Sequence, residues 1–159
     1  MQTSTATVNE QLIERHEGIS CLRAGAGTDS WNGLNYQLGI NHTTVAASAL
    51  SMNLASVPPG GVAKAHIHVG FEVGLFIISG NVRHTFGKGL RHELVNGPGD
   101  FIFIEPGVPH EAYNLSDSQP AVVVVARSTP NQWDEIVPYD PASDDEYGQE
   151  GIEDGTAAD

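Results

Sequence analysis

The chain is poor in three things, and each shortage excludes a class of function. It has a single cysteine, Cys21, among 159 residues. One thiol rules out an intrachain disulfide framework and a thiolate-rich metal site, and it suits a reducing compartment. Basic residues are few: seven Lys and Arg stand against twenty Asp and Glu, for a formal charge of −13. With no basic stripe, neither nucleic acid nor an anionic membrane is an expected partner. Long hydrophobic runs are missing too. The longest purely apolar stretches reach about six residues, too short to cross a bilayer. Residues 1–17 are polar and lack the apolar segment of a secretory leader. These shortages together predict a soluble, cytoplasmic protein.

What is present is turn chemistry. Eighteen glycines and nine prolines separate short β-prone runs: Ile19–Arg23, Leu34–Ile40, Val45–Val57, Val62–His68, Phe71–Ser79, Val82–Phe86, Arg91–Val95, Phe101–Ile104, His110–Leu115 and Ala121–Ser128. Regular short strands joined by Gly/Pro turns predict an all-β sandwich or barrel, and no internal repeat or helix-length amphipathic pattern competes. One domain is expected, with residues 1–18 as an N-terminal extension, 19–130 as the folded unit and 131–159 as a tail. Ten of the twenty acidic residues lie between Asp134 and Asp159, leaving the rest of the chain ten acidic against seven basic. Such a tail reads as a solvated, flexible extension. The run Phe71–Ser79 is apolar on both parities apart from Glu72. A strand buried on both sides needs a second cover, so a homodimer is expected.

Within this pattern, His66 and His68 stand two apart on a predicted strand, which places both imidazoles on one face. Glu72 keeps the same parity if the strand continues. A carboxylate on an otherwise apolar strand costs several kcal/mol to bury unless it is paired or metal-bound. Imidazoles with a carboxylate suit one divalent transition metal: Fe, Mn, Ni, Cu or Zn. His110, following the turn Glu105-Pro106-Gly107, is the best candidate for a fourth ligand. His84 shares the ligand parity if the turn at Gly80 is regular. It is then an acid/base group in the cavity; otherwise it is a surface strand residue. Phe76, Phe86, Phe101 and Phe103 read either as pocket walls or as ordinary core packing. Trp31 and Tyr36 belong to a strand or a lid, and Arg23, Lys64 and Arg83 either orient a carboxylate substrate or are surface charges. His16, His42 and His92 sit in polar surroundings. There is no phosphate-binding Gly loop and no serine nucleophile elbow.

Two segments resemble the paired motifs of the cupin superfamily. In the first, Gly60 is followed after five residues by His66-Ile67-His68, after three more by Glu72, and then by Gly80. Seven residues separate Glu72 from Gly80, where the general pattern has six. In the second, Gly99 is followed after five residues by Glu105-Pro106-Gly107, then by His110 and Asn114. Glu105 stands where the pattern has proline. The resemblance covers about Ser48 to Arg127, and the Glu72–Gly80 spacing is that of small bacterial cupins whose substrate is unassigned. It implies a jelly-roll (double-stranded β-helix) barrel with the metal held inside by His66, His68, Glu72 and His110. Four ligands on a six-coordinate ion leave two positions for water, O₂ or a small-molecule substrate. The expected activity is an oxygen-dependent oxidoreductase of the dioxygenase type, acting on a small carbonyl, enol or phenol compound, with Fe(II) as the first metal. Metal-assisted isomerisation, decarboxylation or lyase chemistry is the second expectation, and a non-catalytic binding or sensor cupin the third.

Overall fold

The computed structural model describes residues 5–131 and 135–143. In chain order the strands are β1 (Thr7–Val8), β2 (Ile13–His16), β3 (Ile19–Leu22), β4 (Gly27–Trp31), β5 (Leu34–Ile40), β6 (Ser51–Val57), β7 (Val62–His68), β8 (Val73–Ser79), β9 (Val82–Phe86), β10 (His92–Asn96), β11 (Phe101–Ile104), β12 (His110–Asn114), β13 (Ala121–Arg127) and β14 (Ile136–Pro138). Seven of them form one sheet in the order β1-β4-β5-β6-β13-β8-β11, and five form a second in the order β10-β9-β12-β7-β14. β2 and β3 make a separate hairpin, turned by Glu17 and Gly18, both at positive φ. Every pairing is antiparallel. The all-β jelly roll expected from the sequence is therefore the fold. Its two sheets face each other as a sandwich, and no ladder joins their edges into a closed barrel among the described residues.

The core lies between the sheets. Strand alternation puts Ala121, Val123, Val125 and Arg127 on the inner face of β13, each buried, while Val122, Val124 and Ala126 are half-buried on the outer face. Leu38, Val73, Ile77 and Val82 complete the dry centre, each at 2% exposure or less. Asn114, the last residue of the second motif, acts on the frame. Its side-chain amide donates to the carbonyls of Val57, Pro58 and Gln119, at 3.1, 3.1 and 2.7 Å. Its Oδ1 accepts from Ser116 N at 3.0 Å. One buried side chain thus joins the turns that leave β6 and β12.

Three boundaries differ from the sequence reading. Among its described residues the expected N-terminal extension carries paired strands: β1 pairs with β4, and β2 pairs with β3. Val45, expected to open a strand, instead closes a single helical turn over residues 42–45. There Asn41 Oδ1 accepts from Thr44 N, and Thr44 Oγ1 accepts from Asn41 N, a reciprocal cap that the Asn-x-x-Thr spacing allows. The folded unit also runs past residue 130, because β14 adds to β7 and Tyr139 N donates to Ala65 O at 3.0 Å. The remainder of the expected acidic tail, residues 144–159, lies outside the described residues.

Candidate metal centre

A bulge sets the site. β12 pairs His110 with His66 but Ala112 with Ala63, so β7 carries one extra residue over this interval. The bulge keeps Ala63 on the inner face and brings His66 and His68 inward after it, opposite His110; all four are buried. The ligand atoms of His66, His68 and His110 lie within 4.8 Å of one another. The three rings stand 4.3 to 4.9 Å apart, centroid to centroid. Trp31 meets the edge of His66 at 5.5 Å and Phe71 that of His68 at 5.0 Å.

The hydrogen bonds fix where the lone pairs point. Nδ1 of His66 lies 2.7 Å from Lys64 O, and Nδ1 of His110 lies 2.9 Å from Val108 O. A carbonyl only accepts, so both Nδ1 atoms carry the proton and both Nε2 atoms offer a lone pair. Nε2 of His66 stands 3.1 Å from Nε2 of His68, while Nδ1 of His68 is buried with no hydrogen-bond partner. If His68 is protonated on Nε2, its Nδ1 is a stranded acceptor. If it is protonated on Nδ1, two lone pairs face each other. A cation shared by the Nε2 atoms removes this conflict, and three neutral imidazoles are a suitable donor set for a divalent transition ion. Burial is the first cause that holds all three rings below the ordinary histidine pKa, to about 2 for His68 and about 3 for His110. Neutral rings are the form that binds metal.

Glu72 does not join them. β7 ends at His68, and Gly70 turns the chain at φ 81°, a conformation that favours glycine. The turn resets the parity. Phe71 and Val73 point inward, and Glu72 is exposed. Its backbone is pinned to the segment after β13: Glu72 N donates to Ser128 Oγ, and Glu72 O accepts from Ser128 N. Shared parity holds only along an unbroken strand from His66 to Glu72, and the strand is broken after His68.

His84 lies on the inner face of β9 and is buried. Its Nδ1 is 2.8 Å from Asn96 Oδ1, an acceptor, which leaves Nε2 as a lone pair. Burial lowers its pKa as well. Phe86 follows on the same face, and both line a cavity of about 360 Å³ that also reaches His110. Phe103 lines the mouth of that cavity although it is 63% exposed. Phe76 and Phe101 do not belong to it. On β8 the inner positions are Val73, Leu75 and Ile77, and on β11 they are Ile102 and Ile104. Phe76 and Phe101 therefore meet on the outer face, ring centroids 4.7 Å apart and tilted by 48°, with Phe101 83% exposed.

The sequence reading missed a cation buried between the sheets. Arg127 ends β13 and is buried at 4% exposure. It lines a chamber of about 70 Å³ together with the three histidines, Trp31 and Tyr36. Its guanidinium donates to the Tyr36 hydroxyl, and burial is the main cause that lowers its pKa. The alternation Ala121, Val123, Val125, Arg127 is the signal that would have found it. The cations considered from the sequence stand elsewhere. Arg23 pairs with Glu14 in the open, Lys64 is exposed, and Arg83 covers the Tyr113 ring at 4.7 Å.

An antiparallel sandwich with an inward cluster of three histidines defines a jelly-roll protein with a candidate metal centre between its sheets. The family model "Cupin domain" matches residues 53–127, the segment that carries all three histidines, so this segment is a cupin domain. Among solved structures it is similar to an oxalate decarboxylase from Lactobacillus farciminis in complex with formate: TM-score 0.56, 18% identity, covering 65% of this chain and 31% of that one. It is similar to a recombinant oxalate oxidase in complex with glycolate, at TM-score 0.58 and 22% identity, covering 69% of this chain and 56% of that one. The Bacillus subtilis oxalate decarboxylase gives TM-score 0.56 and 19% identity, covering 64% of this chain and 27% of that one. The chain thus spans between about a quarter and just over half of the length of these structures. At such identities the likeness is one of fold. A search of curated protein sequences gives no match.

Proposed function

We propose that this cupin is a metal-dependent, oxygen-using oxidoreductase of the dioxygenase type, acting on a small carbonyl, enol or phenol compound. The observation that carries the reading is the meeting of three neutral, inward imidazoles beside a cavity large enough for such a molecule. His66, His68 and His110 would hold the ion. A bound divalent transition ion would supply redox or Lewis-acid chemistry, with Fe(II) first and Mn(II) next, the latter because one similar structure is described for its Mn(II) centres. Trp31 and Phe71 would fix the ring orientations of His66 and His68 and keep water from their outer faces. His84, held by Asn96, would accept a proton at Nε2 from a substrate in the outer cavity.

Two further parts belong to the same proposal. A homodimer is supported by Phe76 and Phe101, which meet on the outer face at the β11 edge, a patch that a second copy would cover. A cytoplasmic location is supported by the single cysteine; among the described residues no helix is long and apolar enough to cross a membrane.

The test is O₂ consumption by Fe-loaded and Mn-loaded protein against a panel of enols and phenols. Uptake stoichiometric with product supports the reading. Turnover that survives strict anaerobiosis replaces it with isomerase, decarboxylase or lyase chemistry. Binding without product at full metal occupancy replaces it with a sensor or carrier.

A further inference from the structure

Two cavities adjoin between the sheets, and their chemistry differs. The inner chamber, about 70 Å³, has Arg127, Tyr36, Trp31 and the three histidines in its wall. It has room for a group of carboxylate size and little more. The outer cavity, about 360 Å³, lies between the edges of β10 and β11, and Phe86, Leu94, Ile102 and Phe103 give it an apolar wall. His84, Ile104 and His110 line both, so the two cavities meet at these three side chains.

Arg127 is costly where it stands. A guanidinium taken out of water carries a penalty of several kcal/mol. The same face of β13 is otherwise filled by Ala121, Val123 and Val125, so an aliphatic residue would suit the packing. The fork of N–H donors on an arginine matches the two oxygens of a carboxylate. Tyr36, buried at 4% exposure and hydrogen-bonded to the guanidinium, fixes the side chain from the β5 side.

We infer that the two cavities form one bipartite site for a small monocarboxylate with an apolar body. Arg127 receives the carboxylate in the inner chamber beside the three histidines. Phe86, Leu94 and Ile102 receive the apolar body in the outer cavity. This deepens the proposed function by naming a substrate class, and it rests on the metal-centre reading only for the histidine side of the chamber.

The test is calorimetric titration of the full chain, metal-free and Mn(II)-loaded, with 3-phenylpropanoate, 3-phenylpropanamide and propanoate, alongside elemental analysis of each sample. The aryl acid is expected to bind at least about tenfold tighter than the amide and than propanoate, each factor of ten being an ordinary increment for a charge-assisted or apolar contact. Arg127→Met should abolish the preference for acid over amide. Leu94→Trp should fill the outer cavity and abolish the preference for the aryl acid over propanoate. If Arg127→Met does not fold, the comparison of acid with amide on the unaltered protein decides alone. Acid and amide binding within twofold of each other, propanoate binding as tightly as the aryl acid, or no binding of any of the three at millimolar concentration would overturn the inference. A protein that holds metal yet shows no acid preference contradicts this inference and leaves the metal centre standing. A protein with the acid preference and no metal contradicts the metal centre alone.

Discussion

The Nε2 atoms of His66 and His68 face each other across 3.1 Å while Nδ1 of His66 is already committed to the Lys64 carbonyl. That carbonyl belongs to the same bulged stretch of β7 that turns both rings inward. The backbone irregularity that gathers the histidines therefore also selects the tautomer that presents Nε2 to a cation.

The exposed position of Glu72 leads to the first prediction. Glu72→Gln should retain the metal content of the unaltered protein and change stability by less than about 0.5 kcal/mol, as expected for an exposed side chain whose backbone makes the contacts. Elemental analysis and denaturant unfolding of the variant check it. Loss of metal would restore Glu72 as a ligand and require the segment 69–72 to rearrange on binding.

The depressed histidines give a pH dependence. For His68 and His110 the folded pKa is about 2 and about 3, against an ordinary 6.5. Between those limits the unfolded chain binds more protons than the folded one, so stability is complete above 6.5 and falls as pH drops below it. By pH 5 each such histidine removes about 2 kcal/mol from the metal-free protein. Urea unfolding of metal-free protein at pH 7.5 and pH 5 measures it. Equal midpoints would contradict the buried, neutral state of the cluster.

Asn114 separates frame from site. Asn114→Ala removes the donor shared by three carbonyls and should destabilise the protein by about 2–4 kcal/mol. Metal content of the folded fraction should stay unchanged. Circular dichroism and elemental analysis read the two effects independently.

His84 and Asn96 predict a split between binding and turnover. His84→Ala should leave metal content intact and lower the turnover of any substrate found by about 10²–10⁴-fold. Asn96→Ala should have a smaller effect and shift the pH profile, because the ring loses the partner that fixes its tautomer. A His84 variant with unchanged turnover would reduce this residue to cavity packing.

Much of the fold was legible because turns and alternation are local. Of the ten β-prone runs read from the sequence, nine correspond to strands in the sandwich and one, Ile19–Arg23, to a strand of the β2–β3 hairpin. The failures have physical causes. The strand Gly27–Trp31 was hidden by its glycine and polar residues, and its pairing with β5 comes from tertiary context. Glu72, Phe76 and Phe101 stand elsewhere than expected because alternation was carried across Gly70 and started on the wrong parity in Phe101–Ile104, whereas Phe103 lines the cavity from the β11 edge. A one-residue slip reverses every side chain. His66, His68 and His110 were reached through motif and spacing, even though the bulge before His66 has no signature in composition. Arg127 has no histidine near it in sequence and approaches the cluster from the opposite sheet, a tertiary relation that no local pattern encodes.

The central claim is that His66, His68 and His110 hold one divalent ion, and the metal content of His110→Ala tests it most directly. Protein purified without added metal should contain about one transition ion per chain. The variant, folded by circular dichroism, should contain less than about a tenth of that, in line with the loss of a ligand. Unchanged metal content in His110→Ala, or no retention of added Fe, Mn, Ni, Cu or Zn by the unaltered protein, would contradict the account.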